Sequence, residues 1–208
     1  EGRPVGVGVV GAGATGRAIA LQLGTPVTGI RLVGIANPTL ANAERALREA
    51  GFAEWHVASS AADVGAAAAR SEPVITESAS ALIESRSIDV IVEATGTIDY
   101  AARVVLDAID RQKHVVIVNA ELDSLLGPIL KAKADAAGVV LTNTDGDEPG
   151  VAMTLLRYLR TCGMRPVAVG NIKGMVDHYR TPDTQRAFAA QWDQDPQKVT
   201  SFADATKL

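Results

Sequence analysis

Hydrophobic and polar positions follow two alternating periods along this chain. Short apolar runs with little alternation recur at Val5–Val10 (VGVGVV), Leu32–Ala36, Val74–Thr76, in IDVIVEATG, in HVVIVNAE, in VVLTNT and in PVAVGNIKG. Runs of this length, rich in valine and isoleucine, have the pattern of strands buried on both faces. Between them lie segments with apolar residues spaced by three and four. These are ATGRAIALQL, LANAERALREAG with Gly51 as its stop, the stripe Ala101, Val104, Val105, Ala108 and Ile109, PILKAKADAAG, and VAMTLLRYLRTCG. That spacing predicts helices with one packed face. The alanine-rich Ala62–Glu72 segment reads as a helical insertion or a mobile surface element. Strand and helix alternate throughout, which predicts an α/β fold: a Rossmann-type doubly wound parallel sheet over residues 1–144. Residues 145–208 then read as the start of a second, substrate-binding domain.

The first strand and its helix meet in GVGVVGAGATG, which contains G-x-G-x-x-G twice, as Gly6, Gly8, Gly11 and as Gly11, Gly13, Gly16. In the first register almost no strand precedes the turn, and the helix would start in Val9-Val10-Gly11-Ala12-Gly13, a poor helix former. The second leaves both strand and helix intact. Gly11 then makes the tight turn, Gly13 admits a pyrophosphate to the helix N-terminus, and Gly16 permits close helix-to-strand packing.

Composition narrows the ligand. With 208 residues, 47% of them hydrophobic and 21% charged, the chain can bury a real core. A formal charge of -4 and no basic cluster argue against nucleic acid, so a small-molecule substrate is the expected partner. No stretch is apolar enough for a membrane span or signal peptide, and one cysteine, Cys162, fits a reducing compartment, so the expected location is the cytoplasm. Cys162 itself reads as a small buried apolar residue. The chain begins without Met and its last stretch does not read as a domain end, the signs of a fragment.

Ligands of such sheets sit at the carboxyl ends of the strands. That rule gathers Gly11–Gly16, Asn37, Thr95–Thr97, Asn119–Glu121 and Asn143–Gly150 on one edge. The second strand ends at Asn37 where NAD-preferring sites place a carboxylate, so NADP is tolerated and mildly favoured, with NAD as the other cofactor. The dinucleotide set is therefore Gly11, Gly13, Ala14, Thr15, Gly16, Asn37, Thr95, Gly96, Thr97, Asn119 and Glu121.

Through GAGATG, IVEATG (Ile91–Gly96) and KHVVIVNAE (Lys113–Glu121), the first 145 residues resemble the homoserine dehydrogenase-like oxidoreductases. The later TNTDGDEPGVA and GNIKGMVDHYRTP resemble the branch whose longer members carry a C-terminal SAF domain, some of them deoxyxylulose phosphate reductoisomerase-like. The resemblance implies a nicotinamide cofactor with its pyrophosphate over Gly13 and Ala14, and with Thr95, Gly96 and Asn119 near the nicotinamide. Homoserine dehydrogenases usually have Ala-Asn-Lys where this chain has Val118-Asn119-Ala120, so a lysine near the substrate is missing. A polyol phosphate or hydroxy acid is the expected substrate class, and a homo-oligomer the expected assembly.

Hydride transfer to a carbonyl needs a proton donor and a positive group beside the developing alkoxide. Lys173, between Gly170 and Gly174 after an expected buried strand, suits both roles, and His178 could relay a proton. Asp145, Asp147 and Glu148 could hold substrate hydroxyls, hold a divalent cation such as Mg2+ or Mn2+, or cap the next helix. The rival to an NAD(P)-dependent oxidoreductase is a regulatory domain that senses a dinucleotide without turnover.

Overall fold

The computed structural model describes residues 2–25, 27–144, 148–169, 181, 183–184 and 186–191. The chain divides into two compact units, Glu1–Gly146 and Asp147–Leu208. The first unit is built from β1 (Val5–Val10), α1 (Ala14–Gly24), β2 (Ile30–Ala36), α2 (Leu40–Glu49), β3 (His56–Val57), α3 (Ala61–Ala69), β4 (Val74–Thr76), α4 (Ala79–Ile83), β5 (Val90–Glu93), α5 (Ile98–Asp110), β6 (His114–Ile117), α6 (Ala120–Ala137) and β7 (Leu141–Asn143). All strand pairs are parallel, in the order β3-β4-β2-β1-β5-β6-β7. This is the doubly wound α/β fold.

One rule of handedness distributes the helices. Crossovers between parallel strands are right-handed, so a helix changes face when the chain reverses its direction of travel across the sheet. From β1 through β2 to β3 the chain moves one way, which puts α1 and α2 on one face. From β3 onward it moves the other way, which puts α3, α4, α5 and α6 on the opposite face. The two cores agree. Val7, Val9, Leu32 and Ile35 pack with Ala20, Ala43, Ala46 and Leu47 of α1 and α2. Val10, Val33, Val74, Ile91, Val115 and Ile117 pack with residues of α3 to α6, among them Val64, Leu82, Val105 and Leu130.

The same alternation explains the first two glycines of the repeated motif. Gly6 and Gly8 lie within β1, where a Cβ on Gly6 would come within 2.0 Å of the Ser87 carbonyl oxygen and one on Gly8 within 2.9 Å of the Ile88 Cδ1. They serve close packing inside the sheet layer and make no turn.

The segment left open in the sequence, around Ala62–Glu72, contains helix α3. Ser60 caps it, accepting from the Asp63 N–H while the Asp63 carboxylate accepts from the Ser60 N–H, a reciprocal capping box. α6 starts at Ala120, eight residues before the expected Pro128, because Asn119 caps it through the Leu122 N–H at 3.0 Å. The expected strand through HVVIVNAE accordingly stops at Ile117. At the amino ends of the strands, Asp89 accepts from the Gly6 N–H at 2.8 Å and from both terminal nitrogens of Arg3. Beside it, Lys113 donates to the Ser85 and Ile88 carbonyls, both at 2.8 Å.

In the second unit α7 (Glu148–Thr161) is closed by Gly163 just beyond its end, whose φ of 76° lets the Met164 N–H reach back to the Leu159 carbonyl. A short α8 (Arg186–Gln191) follows. Two expectations fail here. Residues 164–169 form no strand, and Val167 is 96% exposed, so the described part of PVAVGNIKG is not a buried strand. Pro166 has no N–H to offer a ladder, and among the described residues no strand pairs with this segment. Cys162 is exposed, in the turn just after α7 ends at Thr161. Among the described residues no helix is long and apolar enough to cross a membrane.

Candidate functional site

The chain leaves β1 toward β2 on one side and returns on the other side to β5, so the carboxyl ends of these two paired strands form the topological switch point, outside which such sheets bind ligands in a crevice. Gly11 begins its lining. Its φ of 107° belongs to glycine, and a Cβ there would lie 2.5 Å from the Ala94 carbonyl oxygen. The turn after β1 therefore rests directly on the loop after β5. Gly16 fixes the helix against the turn, since its Cβ would lie 2.1 Å from the Gly11 carbonyl oxygen.

Gly13 is the opposite case. It is exposed, its φ of -70° strains no residue, and a Cβ there would meet nothing within 4 Å. As the N-cap of α1 it brings no side chain to bond the first-turn amides, and no acidic residue occupies that turn. The exposed Gly13, Ala14 and Thr15 thus present a helix N-terminus with unclaimed N–H groups and partial positive charge. A bridging pyrophosphate fits this cradle.

Asn37 turns inward. Its Oδ1 accepts from the Ala12 N–H at 3.1 Å and its Nδ2 donates to the Thr39 carbonyl at 2.9 Å, so its side chain braces the glycine turn from the end of β2. Asn119 is likewise engaged on both sides. Its Oδ1 caps α6, and its Nδ2 donates to the Thr95 carbonyl at 3.2 Å. Thr95 lies half-buried between these groups, while Gly96 and Thr97 are exposed and open, as is Glu121 in the first turn of α6.

Glu93, the last residue of β5, was not singled out in the sequence although it stands in the IVEATG motif. It is fully buried. Its Oε1 accepts from the Thr95 N–H at 2.7 Å and from the Thr95 hydroxyl at 2.5 Å. Its Oε2 is buried without a hydrogen-bond partner among the described residues. Burial raises its pKa above the ordinary carboxylate value, only partly opposed by the Thr95 hydroxyl and amide. Tyr100 of α5 is also raised, by its own burial and then by the charge on Glu93.

The structure thus brings Gly11–Gly16, Asn37, Thr95–Thr97 and Asn119–Glu121 to one edge. Asn143 stands at that edge on β7, donating to Asp123 at 2.8 Å. Asp145, Asp147, Lys173 and His178 lie outside the described residues, and so does the side chain of Glu148, whose backbone opens α7. Among the described residues no three His, Cys, Asp or Glu side chains come together as a metal site.

Known proteins match both parts of the chain. Residues 6–142 match the family model for the homoserine dehydrogenase NAD binding domain, and residues 146–208 the one for the oxidoreductase DRL catalytic domain. A homoserine dehydrogenase from Corynebacterium glutamicum is 41% identical over 68 residues, 33% of this chain and 15% of that protein. Among solved structures, a homoserine dehydrogenase from Thiobacillus denitrificans aligns at TM-score 0.52 and 24% identity, over 76% of this chain and 34% of that one. Biliverdin reductase from Synechocystis sp. PCC 6803, solved with biliverdin and NADP+, aligns at 0.51 and 22%, over 76% of this chain and 42% of that one. Scyllo-inositol dehydrogenase from Lactobacillus casei, with NAD(H) and scyllo-inositol bound, aligns at 0.51 and 15%, over 77% and 42%. At these identities the structural likeness concerns the fold. The chain spans between 34% and 42% of the length of these three structures.

Proposed function

The chain belongs to the homoserine dehydrogenase NAD-binding domain family, and on that footing we propose that its crevice serves an NAD(P)-dependent oxidoreductase acting on a small polar carbonyl or alcohol, a polyol phosphate or a hydroxy acid. The observation that supports this most is the open cradle at Gly13, Ala14 and Thr15, where a Cβ would meet nothing and the helix amides have no capping side chain. When bound, the nicotinamide supplies or accepts the hydride. The residues of this chain hold it: the α1 amides take the pyrophosphate, and Thr95, Gly96 and Asn119 border the nicotinamide end.

The end of β2 carries Asn37, which braces the glycine turn and puts no negative charge before a 2′-phosphate. NADP is the favoured cofactor on this reading, with NAD accepted. On this reading Lys173 is the proton donor and the positive group for the substrate oxygen, His178 is a candidate proton relay, and Asp147 and Glu148 are candidates for holding substrate hydroxyls. The expected strand before Lys173 is not formed over residues 166–169, so its role rests on its residue type between two glycines. The assembly proposed is a homo-oligomer, to be checked by sedimentation velocity.

The test is a titration with NADPH and NADH followed by nicotinamide fluorescence, then turnover with a panel of polyol phosphates and hydroxy acids. Saturable binding that Gly13→Val removes is the expected result. Absence of binding by either cofactor refutes the reading, and binding without turnover by any substrate in the panel favours the sensing alternative.

A further inference from the structure

Thr95 is held from several directions at once. Glu93 accepts from both its N–H and its hydroxyl, Asn119 donates to its carbonyl, and the preceding Ala94 carbonyl packs against Gly11 so closely that no side chain fits between. Through this one residue the loops after β1, β5 and β6 are tied together at the mouth of the crevice. Of the three holding groups, the Glu93 carboxyl takes two of the four contacts, and it takes both on the same oxygen.

The other oxygen decides which form of the carboxyl fits. Oε2 is buried, and among the described residues no donor reaches it. Among the described residues no cation pairs with Glu93, and the titratable group that feels its charge is Tyr100 of α5, which is neutral in its ordinary state. A carboxylate in such a place carries a full charge on a dry, bare oxygen. The acid form instead puts its proton on Oε2 and leaves Oε1 as a carbonyl, the acceptor both Thr95 donors need. Burial and the absence of a counter-charge act in the same direction.

Resting on the nucleotide-binding reading above, we propose that Glu93 is a positioning residue for the cofactor site, which in its uncharged, proton-carrying form fixes Thr95 and so presets the Thr95–Gly96–Thr97 wall of the crevice. It touches no reacting atom. Its ionisation draws water toward Oε2, loosens Thr95, and through Ala94 disturbs the glycine turn on which the pyrophosphate depends.

The experiment uses the full chain, with NADPH and NADH as probes and three proteins: wild type, Glu93→Gln and Glu93→Ala. Infrared difference spectra near neutral pH should show one un-ionised carboxyl band in the wild type that Glu93→Gln lacks. Affinity for NADPH should fall as pH rises through the titration of Glu93, and Glu93→Gln, which keeps the carbonyl acceptor, should bind within about threefold of wild type with that dependence gone. Glu93→Ala, which leaves the Thr95 donors unpaired, should bind about tenfold or more weakly. Should Glu93→Ala fail to fold, the band and the Glu93→Gln profile still decide. An absent carboxyl band, or a pH profile identical in wild type and Glu93→Gln, overturns the proposal. Failure of the wild type to bind either cofactor refutes instead the function on which it rests.

Discussion

Gly13 and Gly16 stand three residues apart in one motif, yet their surroundings predict opposite consequences of adding a side chain. At Gly13 the backbone is already in a region open to every residue and a Cβ meets nothing within 4 Å. Gly13→Val therefore costs no steric strain, and its weaker N-cap preference limits the loss of stability to about 1 kcal/mol. The valine methyls, however, fill the space a pyrophosphate needs. Two amide-to-phosphate hydrogen bonds at ~1.5 kcal/mol or more each then go unmade, about 3 kcal/mol in all, which raises Kd on the order of 100-fold. At Gly16 the Cβ of alanine would sit 2.1 Å from the Gly11 carbonyl oxygen, so helix and turn must separate by about 1 Å. Overpacking of this kind costs ~1–3 kcal/mol, and backbone is the obstacle here, so Gly16→Ala should lie at the upper end. Urea unfolding gives the stabilities, and NADPH fluorescence titration the affinities. The reasoning is refuted if Gly13→Val loses more than ~2 kcal/mol of stability, if it binds NADPH as wild type does, or if Gly16→Ala is as stable as wild type.

Other consequences can be checked on the same material. Asn37→Asp keeps an acceptor for the Ala12 N–H but brings a carboxylate to the end of β2, so NADPH affinity should fall about tenfold relative to NADH by titration. Lys173→Met should lower kcat by about two to four orders of magnitude with cofactor Kd nearly unchanged, as measured by stopped-flow turnover and titration. In pH-dependent unfolding, Asp89, held below the usual carboxylate range first by its bond to Arg3, contributes stability that is present above its unfolded pKa and lost as pH falls through the lowered folded value. Glu93 has the opposite sign: its contribution is complete below the unfolded pKa and lost as pH rises through the raised folded value, and Glu93→Gln should abolish that loss.

The parallel sheet was legible because its inner strands are buried on both faces and so appear as runs rich in valine and isoleucine. The choice between the two glycine registers was legible too, since a turn at Gly8 would have destroyed both the strand before it and the helix after it. β3 and α4 left no readable pattern, at two and five residues each. The true start of α6 carries signs in the sequence, an Asn at the cap with Glu121 and Asp123 in the first turn, but Pro128 inside the helix competes with them as a first-turn proline. Asn37 and Asn119 were legible as residues of the edge but not as its braces: which neighbour an amide bonds depends on loops brought together by the sheet. The roles of Asp145, Asp147, Lys173 and His178 fall outside the described residues.

Glu93 was invisible for a further reason, which its companion on the same strand makes plain. Asp89 immediately precedes β5 and Glu93 ends it, so two carboxylates bracket one short strand. Residue type and hydropathy treat them alike. Asp89 meets Arg3 and the Gly6 amide and is held ionised, a clamp at the amino ends of β1 and β5. Among the described residues Glu93 meets two donors on one oxygen, none on the other and no cation, and is held toward the acid form. The divergence follows from the sheet itself. At the amino ends the segment before β1 brings the Arg3 guanidinium to neutralise the charge, whereas beside Glu93 at the carboxyl ends the contacts come from glycine, threonine and asparagine, none of which carries charge. A site that must receive the negative pyrophosphate of a dinucleotide is better served by a neutral acid than by a fixed carboxylate. The same sheet edge that provides the space for the ligand also keeps away the counter-charge that would ionise Glu93.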